Sequence, residues 1–227
     1  MRRVTAASTE QPFVTWGLIG LNVVVYLITV AQGNGINNPG GTLFAKWVLF
    51  GPAVANGDWW RLITAAFLHA NLLHIGLNML ALVWLGAPVE RYLGHFQYLA
   101  LYIVSGLAGS AGALITTPTG ITVGASGAIF GILGALLIIE YQATGNIAGQ
   151  AFTLIAINLL FSFTMSGISV GGHIGGLIGG IGAALALTRF GRTTLVRGRP
   201  GVVGVAALVG VGLLSVVVSY WKVRGYA

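Results

Sequence analysis

Cysteine is absent from the 227-residue sequence, which excludes disulfides and thiol catalysis and leaves the redox compartment open. Charge is nearly as scarce, at 7% of residues against 56% hydrophobic ones, with a mean hydropathy of +0.89. That balance excludes a soluble domain and describes a polytopic membrane protein. Acids are the scarcest of all: Glu10, Asp58, Glu90 and Glu140 are the only four. An intramembrane aspartyl enzyme needs two aspartates and is excluded. A His-Glu-x-x-His metal site is excluded as well, because no carboxylate accompanies His69 and His74. Neither a metal nor a cofactor is expected. The eleven basic residues give a formal charge of +7, but they fall at the ends of apolar runs rather than in a soluble patch. The expected partner is therefore the lipid bilayer and not nucleic acid.

What the chain does have is long apolar runs. A spanning helix needs about 20 of them in a row, and seven stretches qualify, at about 13–31, 68–88, 95–115, 126–141, 147–163, 172–189 and 201–221. They lack the alternation and frequent turns of barrel strands, so the expectation is an all-α helical bundle in the membrane. The fourth stretch, at sixteen residues and about 24 Å, falls short of the roughly 30 Å hydrocarbon core, which predicts a submerged start at Ser126. The first stretch begins after Glu10, Gln11 and Pro12, lacks a small-residue cleavage site before Gln32, and reads as a retained helix.

The organisation expected is a short cytoplasmic N-terminus (1–12), a six-helix unit (13–189), a basic connection (190–200), a seventh helix (201–221) and a tail (222–227). The connection at 32–67 is too aromatic for a linker and reads as short interfacial helices carrying Trp47, Trp59 and Trp60. An inner N-terminus places Arg2, Arg3, Arg91, Arg189, Arg192, Arg197 and Arg199 inside, against Lys46, Arg61, Lys222 and Arg224 outside, which favours N-in, C-out. Short loops and no organelle-targeting segment point to a bacterial plasma membrane.

Polar residues inside such runs mark function. In this topology Ser126, in Gly124-Ala125-Ser126-Gly127, and His173, in Gly171-Gly172-His173-Ile174-Gly175-Gly176, both enter their helices from the outer side. His69, His74 and Asn78 lie in the outer half of the second helix, at the same depth. Serine is a poor nucleophile unless a base takes its proton, and histidine is suited to that task, so the two form a dyad if they touch. Of the acids only Asp58 is on the outer side, which favours a dyad without a carboxylate, its imidazole oriented by packing. Phe130, one turn after Ser126, can stack on the ring of His173 or simply face the core or lipid. His74 and Asn78 share a helix face and can supply oxyanion donors together with the Ser126 N–H, or serve only as interhelical hydrogen bonds. Gly127, Gly131 and Ala135, and Gly172, Gly176 and Gly180, form small-residue stripes beside the two reactive residues.

These residues resemble the rhomboid intramembrane serine proteases. Gly124-Ala125-Ser126-Gly127 is similar to that family's Gly-x-Ser-Gly motif, and His173 with Gly176 and Gly180 to its His-x-x-Gly-x-x-x-Gly helix. His69, His74 and Asn78 are similar to its second-helix pattern; Trp60-Arg61, Glu90-Arg91 and Gly94 look like further family features. The resemblance implies a six-helix core with a seventh helix in a six-plus-one arrangement, and an endopeptidase that cuts transmembrane substrates near the outer face. In that reading Ser126 attacks, His173 is the base, an acyl-enzyme is hydrolysed, His74, Asn78 and the Ser126 N–H hold the oxyanion, and His69 helps to retain water. Gly172, where alanine is common, and Phe130, where some members have tyrosine, depart from the pattern. The competing reading is a non-catalytic relative that binds transmembrane clients, although such relatives typically lack the serine or the histidine. A transporter leaves the alignment of Ser126 with His173 and His74 unexplained.

Overall fold

The computed structural model describes residues 11–165, 167–189 and 201–227. The expected N-terminal segment up to residue 10, with its arginines, and the basic connection at 190–200 lie outside the described residues. Among the described residues eleven α-helices follow in order: α1 (Phe13–Gln32), α2 (Gly41–Trp47), α3 (Gly51–Ala55), α4 (Arg61–Thr64), α5 (Leu72–Ala81), α6 (Ala87–Leu93), α7 (His95–Thr116), α8 (Ser126–Thr144), α9 (Gln150–Thr164), α10 (Val170–Arg189) and α11 (Val202–Val223). One turn of wider π-helix, Leu82–Gly86, joins α5 to α6, making a single rod from Leu72 to Leu93. Six of these units are long and apolar enough to cross a membrane, and α9, at 15 residues, is a shorter apolar helix.

Several boundaries differ from the sequence expectation, and three of them bear on the site. The second spanning rod begins at Leu72 rather than 68, because the Asn71 side chain accepts the His74 N–H and caps the helix. His69 therefore sits in the turn before the helix, not on it. The fourth spanning helix runs to Thr144 rather than 141, so it is not the short one, and the argument from its length for a submerged Ser126 fails. The short helix is α9, about 22 Å long at 1.5 Å per residue. Finally, α10 starts two residues earlier than expected, so His173 lies within its first turn.

Polarity is inverted relative to a soluble protein. Apolar side chains such as Leu27, Leu73, Trp84, Leu213, Leu214 and Trp221 are exposed, while Thr15, Asn22, Ser105, Ser162 and Ser219 are buried. A continuous apolar exterior of this kind matches lipid. At the centre stands α8, whose residues Ala128 to Ala135 are all buried, as expected of a helix surrounded on every side. It packs against α7 and α10, and α10 packs most extensively on α7. Along its other side α11 lies on α7 and α10 through Gly204, Leu208, Ser215 and Ser219.

Glycine makes these approaches possible, in two rows. On α10, a Cβ added at Gly176 or Gly180 would run into the backbone of Gly127 or Gly131 on α8. A second row, Gly171, Gly175 and Gly179, faces Gly112 and Ala108 of α7 in the same way. Gly172 is shared between the two sides: a Cβ there would meet Ser169 and Ala113 of α7, while its carbonyl oxygen lies where a Cβ on Gly127 of α8 would point.

The outer segment between α1 and α5 is folded tightly onto the bundle. Leu49 and Thr122 exchange backbone hydrogen bonds at 3.2 and 3.1 Å, Gly51 N–H reaches Pro118 O at 2.8 Å, and Gly124 N–H reaches Ala65 O at 2.9 Å. Arg61, 8% exposed, donates through Nη1 to the carbonyls of Ala45 and Val48, both at 2.8 Å, and meets Asp58 through Nε and Nη2. Trp59 lies against Tyr220, which brings the end of α11 to the same side as this segment. At the opposite end the Glu90 carboxylate, 1% exposed, accepts the N–H groups of Val14 and Thr15 and the Thr15 hydroxyl, and lies 2.5 Å from His95 Nδ1. Since α1 has no side-chain cap of its own at Pro12, Glu90 supplies that cap from the end of the second rod.

Candidate active site

The segment before α8 is held where it can deliver Ser126 to the bundle interior. Gly124 has φ +120°, a backbone region that favours glycine, and a Cβ there would sit 2.6 Å from His74 Nε2 and 3.8 Å from Ser126 Oγ. The glycine thus serves both the turn and the space, and it locates the His74 ring beside the serine. Ala125 N-caps α8 without a side-chain hydrogen bond. The amides of the first turn, Ser126 among them, therefore have no intrahelical acceptor and point their positive ends into this space.

His173 reaches the same point from α10. Its Nε2 lies 2.8 Å from Ser126 Oγ, across the seam where Gly176 meets Gly127. The ring of Phe130 stacks on the imidazole with centroids 4.1 Å apart and planes at 19°. His173 is 8% exposed and Phe130 4%, so the pair is enclosed.

On the second rod, His74 Nδ1 accepts the Ala70 N–H at 3.3 Å, which leaves the proton of a neutral ring on Nε2, the nitrogen facing Gly124. Asn78, one turn on, donates one amide hydrogen to the His74 carbonyl at 2.7 Å and retains the second. His69 is fully buried, stands edge-on to His74 with centroids 5.0 Å apart, and neither ring nitrogen has a hydrogen-bond partner of good geometry.

The described carboxylates are engaged elsewhere. Asp58 pairs with Arg61, Glu90 caps α1, and Glu140 accepts the Gln150 and Ala151 N–H groups at 2.9 Å, holding the start of α9. No cluster among the described residues has the donors for a metal ion. One neighbour went unnoticed in the sequence: Ser162, on α9, lies with its hydroxyl 2.6 Å from His173 Nδ1. The available signal was weak, a pair of polar residues four apart, Asn158 and Ser162, in an apolar run.

The chemistry available is that of a hydroxyl in contact with an imidazole, with further N–H donors nearby. Comparison with known proteins points to one family. Rhomboid protease GluP of Bacillus subtilis (strain 168) is 39% identical over 196 residues, 82% of this chain and 38% of that protein. RHOMBOID-like protein 5 of Arabidopsis thaliana is 38% identical over 135 residues, covering 56% of this chain and 43% of its own. Rhomboid-like protease 5 of Toxoplasma gondii is 33% identical over 132 residues, 55% of this chain and 16% of its own. The matched region is thus less than half the length of each of these relatives. The rhomboid domain itself matches residues 56–190. That range takes in everything from the turn before α4 to the end of α10, the helical framework as well as the motifs, and this integral multi-pass membrane protein belongs to the rhomboid family.

Proposed function

We propose that this protein is an intramembrane serine endopeptidase that cleaves transmembrane proteins near the outer membrane face. The observation that carries this reading is the 2.8 Å contact of Ser126 Oγ with His173 Nε2, on helices whose backbones touch. His173 takes the Ser126 proton as the oxygen attacks the scissile carbonyl, then returns it to the leaving amine. The acyl-enzyme on Ser126 is hydrolysed by water that His173 activates in turn. Water has to enter the enclosed site, and His69, whose ring nitrogens make no well-formed hydrogen bond within the protein, is suited to hold it. The tetrahedral oxyanion would be met by the Ser126 N–H, His74 Nε2–H and the free amide hydrogen of Asn78. Removing one such donor commonly costs about 10²–10³ in turnover.

In this reading residues 13–189 form the catalytic unit and 201–221 the added seventh helix, with the N-terminus cytoplasmic and the C-terminus outside in a bacterial plasma membrane. The end of α11 and the segment at 32–67 share one side, which supports an odd number of crossings.

The test is labelling of solubilised protein with a fluorophosphonate, together with cleavage of a reporter transmembrane substrate. Labelling at Ser126 that is lost in Ser126→Ala and His173→Ala, with both variants folded, is the expected result. A folded wild type that neither labels nor cleaves would instead favour a client-binding rhomboid relative.

A further inference from the structure

We infer that Ser162 is a positioning residue for His173: it accepts the Nδ1 proton and so presents an unprotonated Nε2 to Ser126. The inference rests on the reading of Ser126 and His173 as nucleophile and base. It starts from the fact that a hydroxyl has one hydrogen to give. Ser162 Oγ lies 2.7 Å from the carbonyl oxygen of Asn158 one turn back, and a carbonyl can only accept. The hydrogen is therefore committed to Asn158, and toward His173 the Ser162 oxygen offers lone pairs alone. At 2.6 Å from that oxygen, Nδ1 has to be the protonated nitrogen. The reverse arrangement would set two lone-pair-bearing oxygens 2.7 Å apart, a repulsive contact in a buried place.

A neutral imidazole with its hydrogen on Nδ1 carries its lone pair on Nε2, the atom 2.8 Å from Ser126 Oγ. That tautomer is the one a general base needs. When His173 takes the serine proton, Nδ1–H keeps its acceptor and the hydrogen bond strengthens with the charge. The sequence Ser126, His173, Ser162, Asn158 carbonyl is thus a continuous chain in which each hydroxyl or N–H points the same way.

A hydroxyl in this role suits the surroundings. Ser162 is 2% exposed in a bundle that lies in lipid, where an ionised carboxylate would lose most of its solvation. A serine bonded back to its own helix avoids that cost. It also explains how the site works while Asp58, Glu90 and Glu140 are occupied elsewhere. The residue comes from α9, a helix whose buried side chains are few, Ala151, Ile155 and Ser162. Packing by Phe130 fixes the plane of the imidazole, and Ser162 fixes which nitrogen faces the nucleophile.

The experiment combines 15N spectra of the histidine rings, recorded on the full chain in micelles, with kinetics of Ser162→Ala. The His173 signals are assigned by their loss in His173→Ala. Wild type is expected to show His173 protonated at Nδ1 and free at Nε2; in Ser162→Ala the two forms should mix. The variant should label with fluorophosphonate about tenfold more slowly and cleave with kcat lowered to match and KM unchanged. A wild-type ring protonated at Nε2 overturns the inference, and needs no variant. So does a folded Ser162→Ala that reacts at the wild-type rate. If folded wild type fails to label at all, the nucleophile and base assignment falls, while the ring spectrum still reports separately on the Ser162 contact.

Discussion

Replacing Gly176 by alanine tests whether helix contact sets the geometry of the site. A Cβ at this position would overlap the Gly127 carbonyl oxygen and lie 2.7 Å from its carbon and 3.1 Å from Gly127 Cα. Ordinary contact begins at 3.4 Å, and neither neighbour is a side chain that can turn aside. The two backbones must therefore part by about 1 Å, beside the residue that follows Ser126 and one turn after His173. A misplacement of about 1 Å can cost on the order of 10²-fold in rate, and overpacking of this kind costs about 1–3 kcal/mol in stability. Gly176→Ala is expected to lower kcat about 10²-fold on a reporter transmembrane substrate, with KM little changed. Fluorophosphonate labelling should slow in proportion, and the unfolding midpoint should fall. A folded variant with wild-type kcat would refute the idea that the glycine seam holds serine and histidine in register.

Four further outcomes are expected. His74→Ala or Asn78→Ala should each lower kcat by about 10²–10³ while some turnover survives on the remaining donors, read in the same cleavage assay. Phe130→Leu should lower kcat by up to about tenfold, because the stack on His173 is worth about 0.5–1.5 kcal/mol; an unchanged kcat would deny the ring an orienting role. Arg61→Leu should free the carbonyls of Ala45 and Val48 and cost about 2–3 kcal/mol, since hydrogen bonds from a charged group are the strong ones. Limited proteolysis between residues 41 and 60 should then quicken. Glu90→Gln should lower the unfolding midpoint, since an amide cannot accept all the donors that meet there.

Much of the bundle was legible because lipid imposes long apolar runs, and six of the seven expected stretches correspond to helices able to span. The turn at 68–71 was not, since hydropathy is blind to caps: Leu68 is apolar, and only the Asn71 side chain marks where the helix begins. The extension of α8 past 141 was hidden because Gln142 and Thr144 are polar and end the apolar run, while Glu140 accepts the first amides of α9. That Ser126 and His173 share one end followed from counting crossings. Which serine orients His173 did not, because Ser162 lies eleven residues before it across a connection, one hydroxyl among several in an apolar segment. The glycine row facing α7 was equally hidden, since 36 glycines leave many possible stripes and only packing selects among them.

The cap that Glu90 places on α1 has a bearing on how the chain assembles as it is made. The residue that satisfies the Val14 and Thr15 amides is encoded 75 residues after Thr15. When α1 first enters the bilayer its leading amides have only water and headgroups to bond, which holds that end at the membrane surface. It can settle against its neighbours once the rod Leu72–Leu93 has crossed back and brought the carboxylate alongside. Neither partner is at rest alone, the amides for want of an acceptor and the carboxylate for want of donors. The first two crossings are therefore a unit of biogenesis, and a chain released before residue 90 should leave α1 undocked.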